Sequence, residues 1–174
     1  MGYIDDATSR VFARFYDYEG TLPAFDSFAR YARRYGLPQS VYVDRHTTYR
    51  ALGKRTVADE LAGRPRPQSQ FERALSELGV QVIPAYSPQA KGRIERLFGT
   101  VQDRLVKELR LAGAATRDEA NTVLERYLPA HNRRFSRRPR SPANLHRPCP
   151  PAHRLRRILT LRQQHVLRND NTVQ

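Results

Sequence analysis

The chain reads as an α/β domain, and three observations carry that reading. Short apolar runs bounded by turn residues recur at 3–5, 11–16, 41–43 and 80–83, as strands do. Longer stretches between and after them carry apolar residues at helical spacing. Their order, strand, strand, helix, strand, helix, strand, helix, is that of a sheet with helices folded onto it.

Each element has a local reason. The first two runs are joined by the polar turn Asp6 to Arg10, which makes them a hairpin. A helix is predicted from about Pro23, with Thr21 as its N-cap and Gly36 and Pro38 as stop signals. Its stripe of Leu22, Phe25, Phe28, Ala29 and Ala32 should cover the sheet. The third run ends at Asp44. Residues 53–69, with Lys54, Arg55, Arg64 and Arg66 among prolines, read as an exposed basic loop holding a helical turn at 57–61. At 70–78, Phe71, Ala74, Leu75 and Leu78 share one helical face, closed by Gly79.

Pro84 ends the fourth run, and a long helix is predicted over 89–111. It places Ile94, Leu97, Val101, Leu105 and Leu109 on one face and Lys91, Glu95 and Gln102 on a neighbouring polar one. Thr116 and Glu119 form a capping box for a further helix, which Pro129 is expected to bend or end. From Arg133 to about Leu155 prolines and arginines dominate, and an extended segment is expected.

Charge points to the partner. Lys and Arg number 31 against 17 Asp and Glu, a net charge of +14, with a pI near 10.8. A polyanion is the natural ligand for such a chain. Lysine occurs only at 54, 91 and 107, so arginine, which suits bidentate phosphate contacts, supplies nearly all of the excess. From Arg126 to Asn169 there is no acidic residue, which makes a basic tail. No run of 18 apolar residues suggests a membrane span, and no basic-then-apolar start suggests a secretory signal, so a cytoplasmic location without membrane contact is expected. The single Cys149 excludes an intrachain disulfide framework and a multi-cysteine zinc site.

The chemistry-bearing residues are Asp44, at a strand end, and Glu95, in the first part of a helix. Carboxylates so placed can share a hard cation for phosphoryl transfer, and Lys91 and Arg93 on the same helix could hold the reacting DNA strand. The plainer alternatives are that Asp44 caps the turn before His46, and that Glu95 is a solvated charge with Lys91 as its i−4 neighbour.

Four strings narrow this choice: Tyr-Ile-Asp-Asp-Ala-Thr-Ser-Arg, Val-Tyr-Val-Asp, Ile-Pro-Ala-Tyr-Ser-Pro-Gln-Ala-Lys-Gly-Arg-Ile-Glu-Arg-Leu-Phe-Gly-Thr, and His-Asn-Arg-Arg-Phe. Over about residues 1 to 150 the chain resembles the integrase catalytic core of bacterial insertion-sequence transposases, related to retroviral integrases. The resemblance implies an RNase H-like mixed sheet flanked by helices, and cleavage and strand transfer of DNA with Mg²⁺ or Mn²⁺. It maps the second aspartate of an Asp, Asp, Glu triad onto Asp44 and the glutamate onto Glu95, both as catalytic residues and metal ligands. Their separation of 51 positions exceeds that in retroviral integrases, and the 53–79 insertion and packing helix absorbs the difference. The triad's first aspartate lies in the family on a strand before Tyr3, which would pair with the first strand here, so the core is expected to be truncated and inactive alone. The metal is expected only where that aspartate is supplied. Asp5 and Asp6 match the second strand and its turn instead. The helix-turn-helix region usual upstream is also expected to be absent.

By the same resemblance, residues 1–132 form a partial catalytic core, 133–154 a basic linker, and 155–174 the start of an incomplete C-terminal domain. Asn132, Arg133 and Arg134 match the segment after the last core helix, where a structural turn and a DNA contact are both open. Arg137 and Arg138 begin the tail expected to follow the DNA backbone. The implied partners are transposon ends and target DNA, with a homo-oligomer possible, in a bacterial, nucleoid-associated protein. Two other readings stay open: an inactive fragment that only binds DNA, and an arginine-rich RNA-binding protein.

Overall fold

The structure, a computed structural model, describes residues 1–44, 46–49, 51, 57–63, 66–85 and 88–163. Strands β1 (Gly2–Ile4) and β2 (Val11–Ala13) pair antiparallel with Tyr3 opposite Phe12. Asp5 builds the turn between them. Its backbone N–H donates to the Arg10 carbonyl at 2.8 Å, its carbonyl accepts from Ser9 N–H at 2.7 Å, and its carboxylate accepts from the Thr8 amide and hydroxyl. Ser9 sits at φ 59°, a left-handed conformation that this local bonding supports. β2 is shorter than the predicted 11–16. The ladder ends where Arg14 N–H donates to the Met1 carbonyl, and the Phe15 backbone is taken by a side chain instead.

Helix α1 (Thr21–Tyr35) starts two residues before the expected Pro23, with Gly20 as N-cap in place of Thr21. The extended Gly20 gives its carbonyl to Ala24 N–H, so Thr21 is already inside the first turn. Phe25, Phe28, Ala29 and Ala32 are buried as predicted, but Leu22 is 53% exposed because the buried face runs through Ala24, Phe25 and Phe28 instead. The helix stops at Gly36, whose φ of 94° favours glycine; a Cβ there would also lie 2.6 Å from the Arg147 carbonyl.

Strands β3 (Ser40–Val43) and β4 (Gln81–Pro84) pair parallel, joined through α2 (Val57–Leu61) and α3 (Gln70–Glu77). Ser69 and Glu72 cap α3 reciprocally, a capping box that sequence reading passed over. Val41, Val43 and Val82 turn to the core while Tyr42 is exposed, the alternation a half-buried strand requires.

Among the described residues the strands form two separate pairs rather than the single mixed sheet expected. β1 pairs only with β2, and β3 only with β4. One core nonetheless serves both pairs, since Tyr3 of β1 and Val41, Val43 and Val82 all pack against the cluster built by α1 and α3. Phe28 meets Phe71 edge-on at 6.1 Å in its centre. The buried Ser27 hydroxyl is satisfied by the Ala24 carbonyl and the Tyr3 hydroxyl.

On the other face of the hairpin lie α4 (Pro88–Leu111) and α5 (Arg117–Phe135). A second core of Val11, Leu105, Leu124 and Leu128 joins them, with Val101 and Leu109 partly buried beside it, as the predicted stripe requires. The side chains of Ile94 and Leu97 lie outside the described residues. Thr116 and Glu119 form the capping box read from the sequence.

Pro129 does not end α5, which continues to Phe135. A proline inside a helix forfeits one backbone bond, and here side-chain anchors on both sides hold the helix in place. Asn121 accepts from Phe15 N–H at 2.9 Å and donates to the Phe15 carbonyl at 3.2 Å. Asn132 does the same at Val11, at 2.8 and 2.9 Å. Two amides on one helix thus bond the outer edge of β2 as a neighbouring strand would.

The chain then crosses back to the first core. Leu37 and Arg147 exchange both backbone hydrogen bonds at 2.8 Å, and the Arg147 guanidinium donates to the Leu78 and Gly79 carbonyls. α6 (Ala152–Ile158) follows and inserts Leu155 and Ile158 into the core beneath α1 and α3. The sequence boundaries at 132/133 and 154/155 therefore fall inside α5 and α6. Among the described residues no helix is long and apolar enough to cross a membrane.

Candidate active site and nucleic-acid interface

The parallel register fixes where Asp44 stands. Val43 is opposite Pro84, and Ala85 N–H donates to the Val43 carbonyl at 2.8 Å, so Asp44 and Ala85 leave the sheet side by side. α4 begins three residues later at Pro88. Glu95 follows seven residues into that helix, about 10 Å along its axis, and is exposed. Asp44 thus stands at the carboxyl edge of the parallel pair, where ligands gather in open α/β sheets, and Glu95 lies on the helix that follows that edge.

Asp44 Oδ1 accepts from His46 N–H at 3.0 Å, the local turn cap that was its plainer reading. His46 lies 4.0 Å from Glu19 and beside the Tyr49 ring. The Tyr49 hydroxyl reaches the Met1 sulfur at 3.0 Å, which brings the start of β1 to the same neighbourhood. Burial, then the charges of Glu19 and Asp44, push the Tyr49 phenol well above its ordinary range. It is a neutral donor.

Mg²⁺ and Mn²⁺ favour oxygen ligands, and Asp44 and Glu95 are of the right chemistry. Among the described residues no group of three or more His, Cys, Asp or Glu side chains is placed to hold a metal ion, so these residues do not make a complete site. Asp5 is committed to the hairpin turn at the far end of β1 from Met1. Asp6 is exposed in that same turn.

The basic residues fall into two groups. Lys91 and Arg93 lie in the first turns of α4, and their side chains are outside the described residues, as are Lys54, Arg55 and Arg64. Arg133 and Arg134 occupy the last turn of α5, while Arg137 and Arg138 follow it, and all four are exposed. Arg134 lies 5.6 Å from the Phe135 ring centroid, with Arg104 at 5.2 Å. The two roles left open for Asn132 separate here: its amide is engaged with Val11, a structural duty within a helix rather than a turn.

Sequence reading missed Arg10 and Arg34. Both line a cleft with the group at 133–137, brought there from 99 or more positions away, and no local pattern marks them.

The fold and the site define an α/β protein with an acidic strand edge and a separate arginine-rich face. No protein-family model matches the chain. Over 167 residues, 95% of its length, it is 39% identical to a Sinorhizobium fredii protein named as a transposase (y4bF). Over 135 residues, 76% of its length, it is 33% identical to the transposase for insertion sequence IS1202 of Streptococcus pneumoniae. These matches cover 35% and 28% of the relatives' own lengths, so the chain spans about a third of the curated transposases it resembles.

Proposed function

We propose that the chain is part of a transposase catalytic core that cleaves and joins DNA by metal-dependent phosphoryl transfer, with Asp44 and Glu95 as two of its carboxylates. The observation that supports this reading is the parallel β3–β4 register, in which Asp44 leaves the sheet beside the segment that leads into the helix bearing Glu95. Similarity to two transposases supports the same class of reaction. The third carboxylate is supplied from outside the described residues, on a strand along the unpaired side of β1. The contact of Met1 with Tyr49, and the influence of Asp44 on the Tyr49 phenol, support that reading.

A divalent cation, Mg²⁺ or Mn²⁺, when bound, activates the attacking oxygen and stabilises the departing one. The chain's own residues do the rest. The His46 amide holds the Asp44 carboxylate at the strand end. Lys91 and Arg93 contact the backbone of the reacting strand.

The test is strand transfer of labelled duplex ends by a chain extended upstream of residue 1 to the length of its relatives. Asp44→Asn and Glu95→Gln are each expected to lower the Mg²⁺-dependent rate by roughly a hundredfold or more, with DNA affinity retained. Unchanged activity in Glu95→Gln overturns the assignment. DNA binding without transfer in the extended wild-type chain would favour the inactive, DNA-binding reading.

A further inference from the structure

The hairpin turn, the end of α1 and the end of α5 enclose a cleft of about 700 Å³. Four arginines enter it from four places: Arg10 after the turn, Arg34 in the last turn of α1, Arg133 in the last turn of α5, and Arg137 beyond it. Ser136 adds a hydroxyl, the Thr8 hydroxyl donating to Asp5, and no carboxylate is among the lining residues, all of which are described.

One bland account is that arginines near helix C-termini answer the helix dipole. It covers Arg34 and Arg133. It does not cover Arg10 or Arg137, which belong to no helix.

The frame of the cleft is held rigid. Asp5 fixes the turn from within, and Arg137 N–H donates to the Thr8 carbonyl at 2.7 Å. Asn132 binds α5 to Val11 next to Arg10, and Arg34 lies 5.5 Å from the Tyr35 ring centroid. Four arginines lining one cleft with no carboxylate among its lining residues make it electropositive, and a bound anion offsets that charge. Guanidinium forks with hydroxyls suit tetrahedral phosphate oxygens, and the volume admits a phosphodiester with its sugar.

We propose that the cleft walled by Arg10, Arg34, Arg133 and Arg137 seats a backbone phosphate of duplex DNA. It lies at the turn end of the hairpin, while Asp44 belongs with Met1 at the other end. The cleft therefore anchors DNA at a distance from the reacting phosphate. This rests on the DNA reading above, though not on catalysis.

Binding of a labelled DNA duplex by the full chain carrying Glu95→Gln tests it, measured across a salt series. Arg10→Gln with Arg34→Gln is expected to lower affinity roughly tenfold and to reduce the salt slope by about 1. Arg156→Gln with Arg157→Gln removes the same charge from exposed positions on α6 and is expected to cost less than half as much on the logarithmic scale. Equal losses from the two pairs overturn the proposal, as does a preference for an RNA duplex of the same sequence.

Should the first pair fail to fold, arginine modification by phenylglyoxal in the otherwise intact chain answers the same question. DNA is expected to protect Arg10, Arg34, Arg133 and Arg137 but not Arg156 or Arg157, and uniform protection counts against the cleft. A cleft result of either sign leaves the Glu95→Gln transfer assay unaffected, so the two readings fail separately.

Discussion

Among the described residues, thirteen apolar side chains form one buried cluster beneath α1 and α3, whereas the buried cluster between the hairpin and α5 has four. The first region holds by packing, with Phe25, Phe28 and Phe71 in ring contact. The second adds to its packing two asparagine amides aimed at the backbone of β2 and of Phe15 just beyond it. The two kinds of cohesion fail differently. Packing tolerates a change that keeps volume and shape, while an amide that both donates and accepts has no close substitute.

The largest expected effect breaks the first region. Phe71→Ala should cost about 3–5 kcal/mol in urea unfolding, because a fully buried ring leaves a cavity, whereas Phe71→Leu should cost markedly less. If the two substitutions cost the same, packing is not what holds this core.

The next effect tests the clasp. Asn132→Leu keeps the approximate size but orphans the backbone of Val11, itself only 2% exposed, at about 1–3 kcal/mol. Hydrogen exchange should then accelerate at Val11 more than at Tyr3. Exchange unchanged at Val11 would show that the amide is dispensable.

The smallest effect separates the regions by pH. His131 is buried beside the second core, with the Tyr127 hydroxyl 3.2 Å from its Nδ1 and the tilted Phe135 ring 4.8 Å away between centroids. Burial, then the charge of Arg104, lowers its pKa below the ordinary histidine range. In the window between the folded and unfolded values the unfolded chain binds more protons. The contribution of His131 is therefore complete above the unfolded value of about 6.5 and is lost as the pH falls from there through the lower folded value. Thermal unfolding of the wild type should show a decline from pH 7 to 5 that His131→Gln reduces. An identical decline in the variant would assign it to other groups.

Much of this fold was legible in the sequence because its signals are local. The 3.6 period of Phe25, Phe28 and Ala32, the polar turn Asp6 to Arg10 and the Thr116–Glu119 box each lie within a short stretch of chain. What was not legible depends on partners far along the chain. Asn121 and Asn132 meet residues 106 and 121 positions away, and nothing near Pro129 announces that these anchors let the helix continue. The split of the strands into two pairs is likewise a matter of partners.

The same division applies to the site. Asp44 stands at a strand end and Glu95 on a helix that the apolar runs define, so those element positions could be anticipated. The arginine cleft could not, since its walls come from residues 10, 34, 133 and 137 and only the tertiary fold assembles them.

The docking of α6 has a consequence for how the molecule comes to exist. Leu155 and Ile158 complete a cluster whose first member is Ala24, so its closure joins positions more than 130 residues apart. Such a loop is slow to close, and a nascent chain leaving the ribosome exposes the groove between α1 and α3 until nearly all of the described residues have emerged. The Leu37–Arg147 pairing shortens that search, because once it forms only a few residues separate Arg147 from Leu155.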